Sequence, residues 1–359
     1  MNQEQLAVAV IGAGELGKEV LEILTQCRRA KIVGISDTDP VVAQQAASTF
    51  SVRPYSDNRL ILTSTNPQVA FLCVPPQATT EIIPTCVRRG INVWKRLPVA
   101  RSLAEGAGLV RPMLKANLKF VVGTQRRFAG GYETAWRWRK RLNQVFLAQA
   151  HYLFNWGGGL GWHGDKSAAG GGALMEIAYH PIDLLVWMLG LPEEVYAVSA
   201  TGANAGKTIH GTRQPVYDTD DTAAAILKYR SGVMASVVTT RCSGPVSEEL
   251  RLHGQEGSIT ASAESCSLRG PDGETLDHYA SPHVALGPMR AQIEAFLESV
   301  ATNASHYHCS ALENLLDLVV IETAYLSNRT SQPEHPARLL QNHGLSVDQC
   351  LSLRPVVDL

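Results

Sequence analysis

Two hydrophobic periods run along this 359-residue chain, and the point where one replaces the other divides it. Val8-Ala9-Val10-Ile11 is an apolar run of strand type, and beyond Gly12 the apolar residues fall at 16, 20, 23 and 24, a helical period. The couplet then repeats. A strand over 31–36 precedes a helix over 40–50, and Val69-Ala70-Phe71-Leu72-Cys73-Val74 stops at Pro75-Pro76 before a helix that runs to Arg89. A strand at 91–94, a helix over 103–117 and a strand at 119–123 complete the series. Alternating strands and helices predict an α/β Rossmann-type domain over 1–123, a parallel sheet covered on both faces, with ligands at the carboxyl ends of its strands.

After residue 123 the pattern becomes strand after strand. Runs at 145–154, 194–200, 222–229, 233–240 and 248–253, with Arg230-Ser231-Gly232 as a turn, predict an α+β domain over 124–330 with a mainly antiparallel open sheet. Helices are expected at 174–189, 288–300 and 310–328, and the polar, proline-bearing stretch 331–359 reads as a C-terminal tail.

Composition narrows the function classes. A net charge of -1 gives no electrostatic case for nucleic acid or an anionic membrane, and the basic run Arg137, Arg139, Lys140, Arg141 reads as a solvated helix face. No apolar segment approaches the ~18 residues of a membrane span, and Met1-Asn2-Gln3-Glu4-Gln5 lacks a basic signal start, so a cytoplasmic protein is expected. The seven cysteines include no C-x-x-C pair and read as reduced thiols. His306, His308 and Cys309 lack a fourth spaced ligand, so no metal is expected.

Gly12-Ala13-Gly14-Glu15-Leu16-Gly17 follows a strand and opens a helix, which is the context a dinucleotide fingerprint needs. Gly12 permits the turn, Gly14 lets a pyrophosphate approach the backbone, and Gly17 lets helix and strand pack closely. Asp37, at the end of the second strand and twenty residues past Gly17, suits ribose hydroxyls. No arginine stands at Thr38 or Asp39 to meet a 2'-phosphate, so NAD is favoured over NADP, with Arg53 as the residue that would reverse this. The alternative is a glycine-rich turn in an unrelated doubly wound fold.

A glycine-rich stretch, 155–172, reads as a substrate-facing loop or a flexible connection. Glu176, His180 and Asp183 follow it at i, i+4 and i+7, on one face of a helix that Pro181 requires to begin or kink nearby. Histidine beside a carboxylate suits proton transfer, although the same spacing also serves an ordinary ion pair or half a metal site.

Taken together, the fingerprint, Asp37, Pro75-Pro76, the segment 90–100, Arg127-Phe128, Gly170-Gly171-Gly172 with His180 and Asp183, and Gly254-Gln255-Glu256-Gly257-Ser258 resemble the Gfo/Idh/MocA family of NAD(P)-dependent oxidoreductases over nearly the whole chain. The resemblance implies a homodimer or homotetramer joined through the second sheet. It implies hydride transfer to or from a sugar, polyol or related hydroxylated small molecule, with catalytic His180 oriented by Glu176. It also implies cofactor contacts at Gly12, Ala13, Gly14, Glu15, Leu16, Gly17, Asp37, Thr38, Val74, Pro75, Pro76, Arg96 and Leu97. Asp183, Arg127, Trp162 and Lys166 are the expected substrate contacts, and Trp156 or Trp162 offers an apolar face to a sugar ring.

The chain departs from the family in three places. Glu-Lys-Pro is here Arg96-Leu97-Pro98, the aspartate four residues before the histidine is Glu176, and the histidine after the Thr-Pro turn is Thr80. Leu97 cannot supply the charge that a lysine gives, so Lys95 or Lys166 is the candidate replacement cation. Two alternatives follow from Leu97: a catalytically decayed cofactor-binding sensor, or a non-redox enzyme that regenerates its own NAD.

Overall fold

In the computed structural model, which describes residues 5–157, 159–201 and 217–355, the first half folds as its periodicity demands. Strands β1 (Leu6–Ile11), β2 (Ala30–Ser36), β3 (Pro54–Tyr55), β4 (Val69–Leu72), β5 (Asn92–Lys95) and β6 (Phe120–Val122) alternate with helices α1 (Glu15–Gln26), α2 (Pro40–Phe50), α3 (Asn58–Thr65), α4 (Pro76–Arg89) and α5 (Leu103–Lys115). The strand order is β3-β2-β1-β4-β5-β6, all parallel. The order reverses between β1 and β4, and the crevice at such a reversal is where this fold binds ligands.

The second sheet has eight strands. Helix α6 (Gly130–Trp138) leads into β7 (Val145–Asn155); the short helices α7 (Lys166–Ala169) and α8 (Ala173–Glu176) precede α9 (Tyr179–Leu189). Strands β8 (Glu194–Ala200), β9 (Thr222–Lys228), β10 (Met234–Thr240), β11 (Cys242–Gly254), β12 (Gly257–Ala261), β13 (Ser265–Arg269) and β14 (Thr275–Ala280) complete it, in the order β14-β13-β12-β11-β7-β10-β9-β8. Only β7 and β10 pair in parallel; the other neighbours are antiparallel. Strands β12 to β14 do not stand out in the sequence: Ser258-Ile259-Thr260-Ala261 and Ser265-Cys266-Ser267-Leu268-Arg269 alternate polar and apolar residues, but over only four or five positions each. Helices α10 (Gly287–Ala301), α11 (Asn314–Thr330), α12 (Pro336–Asn342) and α13 (Val347–Leu351) close the chain.

Three features depart from expectation. The helix over 174–189 is two helices, broken at Ile177-Ala178, so that Pro181 falls in the first turn of α9, where a missing N–H costs nothing. The last helices do not stay with the second sheet. Met289, Ile293, Phe296 and Leu297 of α10 are buried against Phe71, Trp94 and Val121 of the first sheet, and Gln292 Nε2 donates to the Val122 carbonyl at 3.0 Å. Finally, the described part of the 331–359 stretch, whose docking the sequence does not predict, is docked. Glu334 bridges to Val195, Leu340 and Cys350 are buried, and Leu353 O accepts from Tyr307 N. Helix α11 touches both halves, lying against Gly106 of α5 through Leu315 and Leu318, and holding β8 through Ser327 Oγ, which accepts from Ala197 N at 3.1 Å.

Candidate active site

The fingerprint glycines occupy distinct environments. Gly12 has φ +96, and a Cβ there would sit 2.3 Å from the Cys73 carbonyl oxygen; at Gly17 it would sit 2.0 Å from the Gly12 carbonyl. Nothing lies within 4 Å of a Cβ at Gly14, so the surface above that residue is open. No side chain caps α1, and its first N–H groups face this opening. Asp37 reaches back to the loop: its Oδ2 accepts from Ala13 N at 2.7 Å and its Oδ1 from Asp39 N at 2.9 Å. Thr38 beside it is exposed, Val74 packs beside Gly12, and Pro75-Pro76 opens α4. Arg53 sits with its guanidinium 5.1 Å above the Tyr55 ring, beside Gly34. The loop is therefore a cradle that a pyrophosphate fits.

From this cradle a cleft runs between the two sheets. One cavity of about 330 Å³ is lined by Glu15, Leu16, Glu19, Trp94, Arg96, Leu97, Gln125, Trp156, His180 and Met289. A second, also about 330 Å³, is lined by Arg96, Tyr152, Phe154, Asn155, Trp156, Glu176, Ile177 and His180. Arg96, Trp156 and His180 belong to both, so they stand at the junction.

His180 is in the first turn of α9, and its ring meets the Tyr152 ring edge-on at 5.8 Å. Its Nδ1 is buried without a hydrogen-bond partner, which leaves Nε2 as the nitrogen for the cleft. Burial, then the nearby Arg126 and Arg96 charges, hold the imidazole well below its usual pKa. It is therefore a neutral base near pH 7. Arg126 is itself held by Glu248 at 2.7 Å and covers the Tyr152 ring at 5.5 Å.

Glu176 does not orient His180 as expected. The break at 177–178 turns it away, and its carboxylate is taken by His163 Nδ1 at 2.8 Å and by Arg96 Nη2 at 3.3 Å. Asp183 and Arg127 are corrected more firmly. They are buried in each other's company, Nη2 to Oδ1 at 2.7 Å, with Glu313 Oε1 2.6 Å from Arg127 Nη1; their side chains are 1% and 4% exposed and line neither cavity. Asp183 lies one helical turn past His180 on a face that α11 covers, and burial turned a candidate substrate contact into a structural ion pair.

The candidate replacement cations are also elsewhere. Lys95 alternates with Trp94 along β5, so where Trp94 faces the cleft, Lys95 faces α5; it is buried, donates to the Pro98 carbonyl, and burial pushes its pKa down to about 7. Lys166 is exposed, on a turn that Arg101 ties down through the Ser167 carbonyl. Arg96 is the cation at the junction. The sequence assigns Arg96 to the cofactor and gives no sign of this role, since the family's lysine stands one residue later. Trp162 stacks on His163 at 3.6 Å and lines neither of these two cavities, while Trp156 lines both.

Other contributors had no sequence signal strong enough to single them out. Asp220 fixes the Gly170-Gly171-Gly172 turn: Oδ1 accepts from Gly172 N at 3.0 Å and from the Tyr325 hydroxyl at 2.6 Å, and Oδ2 from Leu174 N at 2.7 Å. A Cβ at Gly172 would sit 1.9 Å from the Asp220 carbonyl, which explains the glycine there. Tyr152 and Phe154, alternate aromatics of β7, line the second cavity beside Trp156, which follows the strand; from the sequence only Trp156 of the three stands out as a ring contact, the other two reading as part of a strand. Among the described residues no group of three or more His, Cys, Asp and Glu could hold a metal ion; Cys309 is buried and His308 packs on Phe128. No helix among them is long and apolar enough to cross a membrane.

Comparison with known proteins agrees with this geometry. Residues 6–124 match the family described as "Oxidoreductase family, NAD-binding Rossmann fold", and residues 127–260 match the "GFO/IDH/MocA C-terminal domain". Levoglucosan dehydrogenase of Pseudarthrobacter phenanthrenivorans is 26% identical over 251 residues, a match that spans 64% of this chain and 64%, just under two thirds, of that relative. D-glucoside 3-dehydrogenase of Escherichia coli is 23% identical over 251 residues, 65% of this chain and 69% of its own. The solved structure of levoglucosan dehydrogenase in complex with NADH and levoglucosan shares the fold, with a TM-score of 0.85 at 20% identity over 92% of this chain and 99% of that one. With both halves matched, the chain belongs to the GFO/IDH/MocA family of oxidoreductases and carries its NAD-binding Rossmann domain.

Proposed function

We propose that this protein is a dehydrogenase acting on a CH–OH group of a sugar or polyol, with NAD preferred over NADP. The observation that carries the reading is the junction of the two cavities: the cradle at 12–17 opens into the first, and His180, a neutral base, stands between it and a second, aromatic-walled one. Relatives named for sugars and glucosides support the substrate class. The bound coenzyme supplies the hydride acceptor.

In the oxidation direction His180 Nε2 takes the hydroxyl proton as the carbon gives up its hydride, leaving a carbonyl. Arg96, held at 3.3 Å by Glu176, faces the same junction and stabilises the oxygen as negative charge develops on it. Leu97 lends the first cavity an apolar wall, and the cationic role falls to its neighbour. The preference for NAD rests on the Asp37 carboxylate, which repels a 2'-phosphate, and on Arg53 being stacked on Tyr55. Use of a nicotinamide coenzyme, together with seven cysteines that form no disulfide, fits the cytoplasm.

Fluorescence titration and turnover test this. NADH is expected to bind at least about tenfold more tightly than NADPH, and His180→Asn to lower kcat for sugar or polyol oxidation about 10²- to 10⁴-fold, the range of a lost general base, while NADH still binds. Full activity in that variant, or no binding of either coenzyme, overturns the reading.

A further inference from the structure

We infer that Glu19 sets the redox-state preference of the coenzyme site: its carboxylate favours the oxidised nicotinamide, a cation, over the neutral reduced ring. The inference rests on the coenzyme cradle and cleft described above and specifies which form of the coenzyme they hold.

Helical spacing puts Glu19 on the cavity wall. Glu15 is the first residue of α1 and Glu19 lies one turn on, so the two stack on the face that lines the first cavity. Like charges at this spacing oppose the helix. Glu15 is exposed and water screens it, but Glu19 is half-buried and, among the described residues, makes no hydrogen bond or ion pair. Burial, and then the Glu15 charge, push its pKa up, as befits a carboxylate without a partner.

The charges around it leave a negative surplus. Glu15, Glu19 and one guanidinium, Arg96, line the first cavity, and Arg96 is already shared with Glu176 at 3.3 Å. Arg126, on the adjoining cavity that Glu19 also borders, is matched by Glu248 at 2.7 Å. A dinucleotide's phosphates are served by the uncapped N–H groups at the start of α1. One turn of helix carries Glu19 about 6 Å beyond Glu15, and His180, on the wall of the same cavity, marks where the reactive ring must come. The surplus therefore faces the one part of a dinucleotide that can be positive.

Such a charge suits a dehydrogenase. Oxidising a substrate requires uptake of NAD+ and release of NADH, and product release is a common limit on turnover. A carboxylate beside the ring strengthens the hold on the first and adds nothing to the second. A hydrogen bond from Glu19 to a ribose hydroxyl would instead serve both forms alike.

Calorimetric titrations at pH 8, where the carboxylate is charged, compare NAD+, NADH and ADP-ribose, which lacks the ring. In Glu19→Gln the Kd of NAD+ relative to that of NADH is expected to rise about three- to tenfold, the worth of one partly screened charge pair, while NADH relative to ADP-ribose stays within about twofold. Glu19→Asp keeps the charge and should hold the first ratio within about twofold of the native value. Retained NADH and ADP-ribose binding shows that the variants are folded. A first ratio unmoved in Glu19→Gln, or lost equally in Glu19→Asp, overturns the inference and leaves the dehydrogenase reading intact. Failure of the native chain to bind any of the three overturns the parent reading.

Discussion

Arg96 illustrates how far a single position can be read. Its neighbour Leu97 signals a lost charge, and the family pattern points to a lysine as its replacement. A guanidinium one residue earlier points into the cleft because the chain leaves β5 at Lys95 and turns there, a change of direction that no sequence pattern records. Its side chain is 37% exposed beside a Glu176 that is 8% exposed, so the pair is anchored at one end and accessible at the other. Arg96→Met should reduce kcat about 10²- to 10³-fold, as removal of one electrostatic stabiliser does, with NADH affinity within about threefold of the native value. Steady-state rates beside a fluorescence titration would show it. An unchanged kcat would mean that the oxygen is stabilised by another group. Lys95, favoured from sequence, fails for a plain reason: alternation along a strand sends it to the opposite side of the sheet from Trp94.

Among the elements, the pairing of α9 with α11 decides which of the three spaced residues meets substrate. Asp183 of α9 faces α11, where Glu313, just before its first turn, and Asp317 share the space with Arg127 and, at 3.7 Å from Glu313, Arg354. Two guanidiniums face three carboxyls, so buried charge balances only if one carboxyl keeps its proton. Asp183 has Arg127 as a forked partner, whereas neither Asp317 oxygen finds an N–H or O–H, and burial followed by the Asp183 charge pushes Asp317 well above the ordinary carboxylate range. A raised folded pKa contributes stability that is complete below the unfolded value and is lost as pH climbs through the folded one. Asp317→Asn stays neutral at every pH, so its melting temperature should gain on the native chain between pH 5 and pH 8, by roughly 2 °C or more at the upper end. Thermal scans giving the same difference at both pH values would show that Asp317 is ionised in the fold. Much of the element level was legible: the fingerprint, Asp37 and the break demanded by Pro181 all follow from local backbone chemistry. The i, i+4, i+7 face was legible too, but its use was not, because helical spacing says which residues align and not what packs over them.

At the scale of the whole molecule, two surfaces remain to be accounted for. The cleft exists because α10 and α11 return to the first sheet, with Trp94 and Gln292 meeting from opposite ends of the chain, Nε1 to Oε1 at 3.3 Å. On the far face of the second sheet, Tyr196, Val198, Ile226 and Val238 lie on the neighbouring strands β8, β9 and β10 and are between 42% and 53% exposed. Clustered apolar exposure of this kind marks an interaction surface, and we propose that a second copy of the chain covers it. Ile226→Lys should then convert a dimer or tetramer into a monomer in light scattering, with the far-UV circular dichroism unchanged. A native protein that scatters as a monomer at micromolar concentration would end the proposal.

The sequence alone determined the two fold types, because periods of 2 and 3.6 residues are local consequences of strand and helix geometry. It also determined the dinucleotide cradle, because steric constraints on three glycines and the reach of one carboxylate act over a few residues. Which polar groups became catalytic candidates and which became ballast was a tertiary matter. His180 and Arg96 face an open cleft while Asp183, Arg127 and Lys95 are walled in, and that outcome depends on helices from the far end of the chain, whose packing no window of sequence contains.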